Sequence, residues 1–216
     1  ARGCTVFRGG TGQTEQQVEA MGHLRPDGYV GTPSFLKIIL EKMDERQLTI
    51  PSLRKTLLSG AAVPPSIRDA LRARGTGAHP VYATADGGSI AYESAAHEGL
   101  IVDEGVLVEI VRPGTGDPVA AGEVGEVVVT LLANRAYPLI RFGTGDLSAV
   151  VPASLSAASP CGRTNMCIKG WLGRADQTTK VKGMFVHPSQ VAATVLRHPE
   201  ITKARPAGDN PQGTDP

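Results

Sequence analysis

No excess of charge of either sign marks this chain: 22 basic residues stand against 21 acidic ones, a net charge of +1 over 216 residues. Nor is any Lys/Arg block long enough to form a local nucleic-acid or membrane-surface patch, so neither partner is expected. Cysteine is sparse and odd in number (Cys4, Cys161 and Cys167), which argues against a disulfide framework and fits a reducing, cytoplasmic compartment. Cys161 and Cys167 have no Cys or His pair nearby and make a poor basis for zinc; one buried thiol and one partly exposed thiol are expected instead. The histidines, His23, His79, His97, His187 and His198, lack the helical pairing of a zinc site and the nucleophile that a triad needs. No apolar run reaches ~18 residues, so no transmembrane helix is expected. The opening Ala1-Arg-Gly-Cys4 has no initiator methionine and no signal-peptide pattern. The close, Asp209 to Pro216, reads as a turn cut off before its next strand. A piece of a longer protein is the expectation.

What is present is ordinary globular material, 41% hydrophobic and 20% charged, enough for one large domain or two modest ones. Over the first ninety residues short apolar strands alternate with amphipathic helices. Thr5-Val6-Phe7 leads through Arg8-Gly-Gly-Thr-Gly-Gln-Thr14 into a helix from Glu15 to about Gly22, with Thr14 and Gln17 spaced as a capping box. Gly28-Tyr29-Val30 reads as a strand, followed by Thr32 as a cap and Pro33 in the first turn. The helix that follows sets Phe35, Leu36, Ile39, Leu40 and Met43 on one face. Leu53–Ser59 is a third strand, Pro65 opens a third helix through Leu71, and Val81–Thr84 is a fourth strand. That alternation predicts a parallel sheet with helices packed on it.

From about Gly99 the rhythm becomes β-structure: Val106–Val111, Gly125–Leu132, Leu139–Phe142 and Leu147–Val151 read as strands with Gly/Pro turns between them. A small barrel or a curved sheet is expected. Residues 152–166 read as a Ser/Ala-rich surface loop. A last segment opens at Gly173-Arg-Ala-Asp176 and runs through Thr179–Gly183 and Phe185-Val186 into Pro188. It reads as a hairpin that starts a further domain, with helical periodicity following in Val191, Val195 and Leu196. The division expected is 1–98 (α/β), 99–172 (β-rich) and 173–216 (the start of a mobile C-terminal domain).

Several stretches could carry chemistry. Arg8–Thr14 holds the position of a phosphate loop but lacks the Gly-Lys-Ser/Thr and Gly-x-Gly-x-x-Gly spacings, and its glycines serve a sharp turn equally well. Ser59-Gly60-Ala61-Ala62 is small enough for a flat ring to lie against main chain, or for a loop to pack on the sheet. In Tyr82-Ala-Thr-Ala-Asp-Gly-Gly88 a ring, a hydroxyl and a carboxylate share the carboxyl end of a strand. Tyr82 could stack on a base, Thr84 bond a phosphate and Asp86 help hold Mg²⁺, or the set could be a core tyrosine and a capping aspartate. Tyr137-Pro-Leu-Ile-Arg141-Phe-Gly-Thr-Gly-Asp146 reads as a buried strand feeding a tight turn that presents one carboxylate, a natural partner for two sugar hydroxyls, or as a plain hairpin corner. Gly173-Arg174-Ala-Asp176 offers a cation for a ribose or phosphate oxygen and an element-terminal pivot, or a plain surface ion pair.

Taken in order, Ser59–Ala62, Tyr82–Asp86, Arg141–Asp146 and Gly173–Asp176 resemble the adenylate-forming acyl-CoA ligases, and most of all their phenylacetate–CoA ligase branch. Pro160-Cys-Gly-Arg-Thr164 and Lys182-Gly-Met-Phe-Val-His-Pro188 add to the likeness. The resemblance implies an α/β fold, incomplete here, and an enzyme using ATP, Mg²⁺ and coenzyme A to convert a phenylacetate-like aromatic acid into its thioester through an acyl-adenylate. It implies that Tyr82 stacks on adenine with Gly60, Ala61 and Ala62 lining the base, that Thr84 meets a phosphate, and that Asp86 stands near Mg²⁺. It further implies that Asp146 grips the ribose, Arg174 contacts the nucleotide and Asp176 is the hinge between two catalytic postures.

Three departures qualify the resemblance. Ala83 replaces a usual Gly and Ala85 a usual Ser/Thr, and Asp86 is one methylene shorter than the usual Glu. The family's phosphate loop would lie before Ala1 and its adenylation lysine beyond Pro216, so weak nucleotide binding at best is expected of these residues alone. Two other readings remain: a carrier-protein thiol as acceptor, or a binding module of the same fold that has lost its chemistry. A homodimer would be the common arrangement for such an enzyme.

Overall fold

The computed structural model describes residues 3–10, 12–175, 179–181, 184–186, 188–198, 200–201 and 204. The chain divides into two compact units, Ala1–Ala83 and Thr84–Pro216.

In the first unit the elements are α1 (Thr14–Leu24), β1 (Gly28–Gly31), α2 (Pro33–Glu45), β2 (Lys55–Leu58), α3 (Pro65–Ala73) and β3 (Gly77–Thr84). β1, β2 and β3 are parallel, with Tyr29 opposite Thr56 and Thr56 opposite Ala78. α2 starts as its residues dictate: Thr32 Oγ1 accepts the Phe35 N–H at 3.3 Å and Pro33 fills the first turn, where no amide partner is needed. Its apolar face (Leu36, Ile39, Leu40, Met43) joins Val18, Leu58, Leu71 and Ala78 in one core. Each large side chain buried there contributes roughly 1.5–3 kcal/mol. The opposite face carries Val30, 75% exposed, beside Leu57.

Two expectations in this unit fail. Thr14 is no cap: α1 begins there with Gln13 as its flanking residue and no side-chain cap. Gln17 instead donates its amide to Gly10 O at 3.0 Å and is buried. A Cβ on Gly9 would collide with that amide, so the glycine-rich loop is shaped around Gln17. Thr5-Val6-Phe7 forms no strand, because Val6 and Phe7 stand exposed and no ladder partner for them exists among the described residues.

The second unit is mainly antiparallel. Its strands are β4 (Gly88–Glu93), β5 (Leu100–Val102), β6 (Val106–Val111), β7 (Gly125–Leu131) and β8 (Phe142–Ser148); after a 3₁₀ turn at Pro152–Leu155 come β9 (Cys167–Ile168) and β10 (Gly173–Arg174). β11 (Thr179–Val181) and β12 (Met184–Val186) pair as a hairpin before α4 (Pro188–Val195). β4, β5 and β9 are neighbours, and β10, β8, β7 and β6 form an open four-stranded sheet. The barrel-like expectation is therefore corrected: among the described residues the strands divide between sheets and none closes on itself.

β8 also departs from expectation. Arg141 takes a left-handed φ of 48°, which breaks the anticipated 139–142 strand; the ladder starts at Phe142 and carries Gly-Thr-Gly-Asp inside it. Arg141 ties down the bend, its Nε donating to Glu109 Oε2 at 3.1 Å and its Nη2 to Gly116 O at 3.0 Å.

Candidate functional site

The candidate Asp146 of the second unit lies beside a bulge in β8. While β7 advances from Glu126 to Val128, β8 runs from Leu147 back to Gly143, so β8 holds two more residues than its partner. A bulge bends its strand and re-aims a side chain, and such features favour the surroundings of active sites. Thr144 Oγ1 donates to Val127 O at 2.9 Å and accepts the Asp146 N–H at 3.1 Å. Gly145 donates its N–H to Glu126 Oε1 at 3.1 Å. Gly145 has φ +70°, and a Cβ there would stand 2.6 Å from Arg174 Nη2. The positive φ favours glycine, and the Arg174 guanidinium lies across its open side.

Asp146 emerges from this bulge opposite Arg174 of β10. Arg174 Nη1 donates to Asp146 Oδ1 at 3.3 Å and to Thr144 O at 3.1 Å. The indole Nε1–H of Trp171 donates to the same Oδ1 at 3.0 Å. The Asp146 side chain is 14% exposed and that of Arg174 41%. At such exposure the pair adds little to stability. Its effect is to hold one carboxylate in one orientation.

Thr84 ends β3 and Asp86 sits in the turn to β4, which the Gly87 N–H closes by donating to Thr84 Oγ1 at 2.9 Å. The Thr84 hydroxyl hydrogen is a donor in its own right. Asp86 is exposed at the turn's tip, with no helix after it to cap. Among the described residues no group of three His, Cys, Asp or Glu side chains is arranged as a metal site. One carboxylate is nonetheless compatible with Mg²⁺, which takes one or two protein oxygens and completes its shell with phosphate and water.

In the first unit, Ser59-Gly-Ala-Ala62 follows β2, with the Ser59 N–H bonded to Gly31 O at 3.0 Å. Gly60 has φ +81° and Ala61 and Ala62 are exposed. Tyr82 lies on the buried face of β3 with 7% exposure. The sequence-derived residues thus fall into a set in the first unit (Gly60, Ala61, Ala62, Tyr82), a turn (Thr84, Asp86) and a ladder pair (Asp146, Arg174). Asp176 lies outside the described residues. Sequence reasoning missed Trp171 and Glu126. Trp171 is the chain's one tryptophan, two residues before Gly173, and that position was its signal. Glu126 had none, because its role depends on the register of β7 against β8.

The cysteines divide as expected, Cys161 exposed and Cys167 buried. Hydrogen bonds from Ser159 and Ser94, with help from the Arg163 main chain, hold the Cys161 thiol below the ordinary thiol range. Burial pushes the Cys167 thiol up. Near pH 7.5 a lowered value means more reactive thiolate, so iodoacetamide should modify Cys161 at least about tenfold faster than Cys167. Peptide mass spectrometry over a time course checks this; equal rates would contradict it.

A family model described as "AMP-binding enzyme" matches residues 1–131. The chain belongs to the AMP-binding enzyme family. Phenylacetate-coenzyme A ligase of Thermus thermophilus is 31% identical over 208 residues, which covers 93% of this chain and 46% of that protein. The protein of the same name from Aromatoleum evansii is 30% identical over 207 residues, covering 92% and 45%. The chain thus spans less than half the length of these relatives. Among solved structures, an open conformation of 2-hydroxyisobutyryl-CoA ligase in complex with 2-HIB-AMP and CoA shares the fold, with a TM-score of 0.76 at 24% identity over 88% of this chain and 46% of that one. Among the described residues no helix is long and apolar enough to cross a membrane.

Proposed function

We propose that this protein takes part in the ATP-dependent activation of a phenylacetate-like aromatic carboxylic acid, through an acyl-adenylate, to its coenzyme A thioester. The observation that carries the reading is the Asp146 carboxylate on the β8 bulge, steadied by Arg174 in a chain of the AMP-binding enzyme family. A carboxylate with two oxygens in a fixed plane is complementary to the two neighbouring hydroxyls of a ribose. Arg174, half exposed beside it, supplies positive charge to the nucleotide. The Thr84 hydroxyl donates to a phosphate oxygen and Asp86 holds Mg²⁺. That ion would offset the repulsion between the acid's carboxylate and the triphosphate, which is the main barrier to adenylation. Gly60, Ala61 and Ala62 line the adenine, on which Tyr82 stacks.

Asp176 is the pivot of this reading, and residues 173–216 begin a domain that turns about it so that coenzyme A can reach the adenylate. The reading also places the protein in the cytoplasm, with the α/β part at 1–98 and the β-rich part at 99–172. The two phenylacetate-coenzyme A ligases at about 30% identity favour an aromatic acid and coenzyme A over a carrier-protein thiol. A second reading, a binding module of the same fold, draws on Ala85 and on the short Asp86 at an exposed turn.

The test is thioester formation by the protein expressed from its own complete gene, supplied with phenylacetate, ATP, Mg²⁺ and coenzyme A. Stoichiometric phenylacetyl-CoA, AMP and pyrophosphate are expected. AMP binding without pyrophosphate release would favour the module, and a thioester formed only on an acyl carrier protein would move the acceptor.

A further inference from the structure

We infer that Trp171 is a gate on the ribose grip: its indole occupies the Asp146 carboxylate in the empty protein and leaves when a nucleotide with both ribose hydroxyls binds. This rests on the proposed role of Asp146. An ionised carboxylate offers about two lone-pair positions per oxygen. Asp146 Oδ1 already accepts two donors, Trp171 Nε1–H at 3.0 Å and Arg174 Nη1–H at 3.3 Å. A diol that donates to both carboxylate oxygens must therefore displace one of them from Oδ1.

The two donors are unequal. Arg174 is charged, belongs to the β10–β8 ladder and is tied a second time to Thr144 O at 3.1 Å. Its bond to a carboxylate is charge-assisted and the stronger kind. Trp171 is neutral, lies outside the strands and is 46% exposed. Water can satisfy its N–H after release, so its departure costs little.

The local backbone suits a side-chain gate. The Lys169 N–H donates to Ala149 O and the Leu172 N–H to Leu147 O, each at 2.9 Å, so the main chain is pinned on both sides of Trp171. Gly170 makes the intervening corner with φ +86°. The indole can swing by a rotamer change while the main chain stays, a motion of picoseconds to nanoseconds for an exposed side chain. Opening the gate thus requires no rearrangement of the sheet. Its effect is on selectivity: a ligand without the diol cannot replace the indole, so the closed state competes specifically with ribose.

The experiment compares AMP with 2′,3′-dideoxyadenosine monophosphate on the 216-residue chain, by calorimetry and by fluorescence of its single tryptophan. AMP should bind more tightly than the dideoxy analogue, shift the emission to longer wavelength and raise acrylamide quenching. The saturating analogue should leave the emission in place. Trp171→Phe should tighten AMP about threefold to tenfold more than it tightens the analogue, because one neutral competitor is gone. An AMP-saturated protein with unchanged emission overturns the gate, as does a Phe variant that weakens AMP or tightens both ligands alike. Equal affinity of the wild type for the two nucleotides is a different failure: it overturns the ribose role of Asp146 itself, whatever the variant does. No binding of AMP at millimolar concentration to the protein expressed from its complete gene overturns both.

Discussion

Asp146→Asn should lower the affinity for AMP about 100-fold. The substitution keeps size and shape but removes the negative charge, and it turns one acceptor oxygen into an NH₂ donor that faces a ribose hydroxyl. Each hydrogen bond to a charged group is worth roughly 1.5–3 kcal/mol. Losing one outright and weakening another comes to about 3 kcal/mol, or about two powers of ten in the dissociation constant. The fold should tolerate the change, because the Arg174 that Asp146 engages is itself half exposed and the bulge is held independently by Thr144 and Glu126. Calorimetry on wild type and variant, with a urea melt alongside, separates the two effects. An affinity loss below about threefold with unchanged stability would remove Asp146 from the nucleotide site.

The second large effect is expected at Gly145. An alanine there must adopt a left-handed φ near +70° and place its Cβ 2.6 Å from the Arg174 guanidinium. The backbone conformation alone costs roughly 1–2 kcal/mol. Moving Arg174 costs its bonds to Thr144 O and Asp146, so a total of about 2–3 kcal/mol is expected. Gly114→Ala is the control, since Gly114 has φ +79° with nothing within 4 Å of its added Cβ. It should show the backbone cost without the collision. Urea denaturation of both variants reads the difference. Equal losses of stability would mean that Arg174 moves aside freely, and that Gly145 is not there to seat it.

How much of this could be read from residues in order depends on whether the cause was local. The start of α2 was legible because Thr32 and Pro33 act within one turn, and β6 was legible because Val106–Val111 is an apolar run between turn residues. The capping box on α1 misleads because Gln17 has a better partner, Gly10 O, seven residues back along the chain. The end of the Leu139–Phe142 run misleads because Arg141 is pulled into a left-handed bend by Glu109 on β6, over thirty residues away. β4 escapes notice because it opens at Gly88, directly after Gly87, with only Ile90 and Ala91 buried among its residues.

The site followed the same rule. Gly-Thr-Gly-Asp stands out through its composition, yet that composition points to a turn after a strand when the segment is a bulge within one. The distinction lies in the register against β7, which no local pattern records. The pairing of Arg174 with Asp146, and of both with Trp171, likewise depends on β10 returning beside β8.

The most direct test of the ribose role is a crystal structure of the chain with AMP bound. The account predicts both ribose hydroxyls within hydrogen-bond distance of the Asp146 carboxylate, Arg174 still bonded to Thr144 O, and the Trp171 indole turned away from Oδ1. A nucleotide bound with its ribose facing other side chains, and Asp146 still holding Trp171 and Arg174, would contradict it.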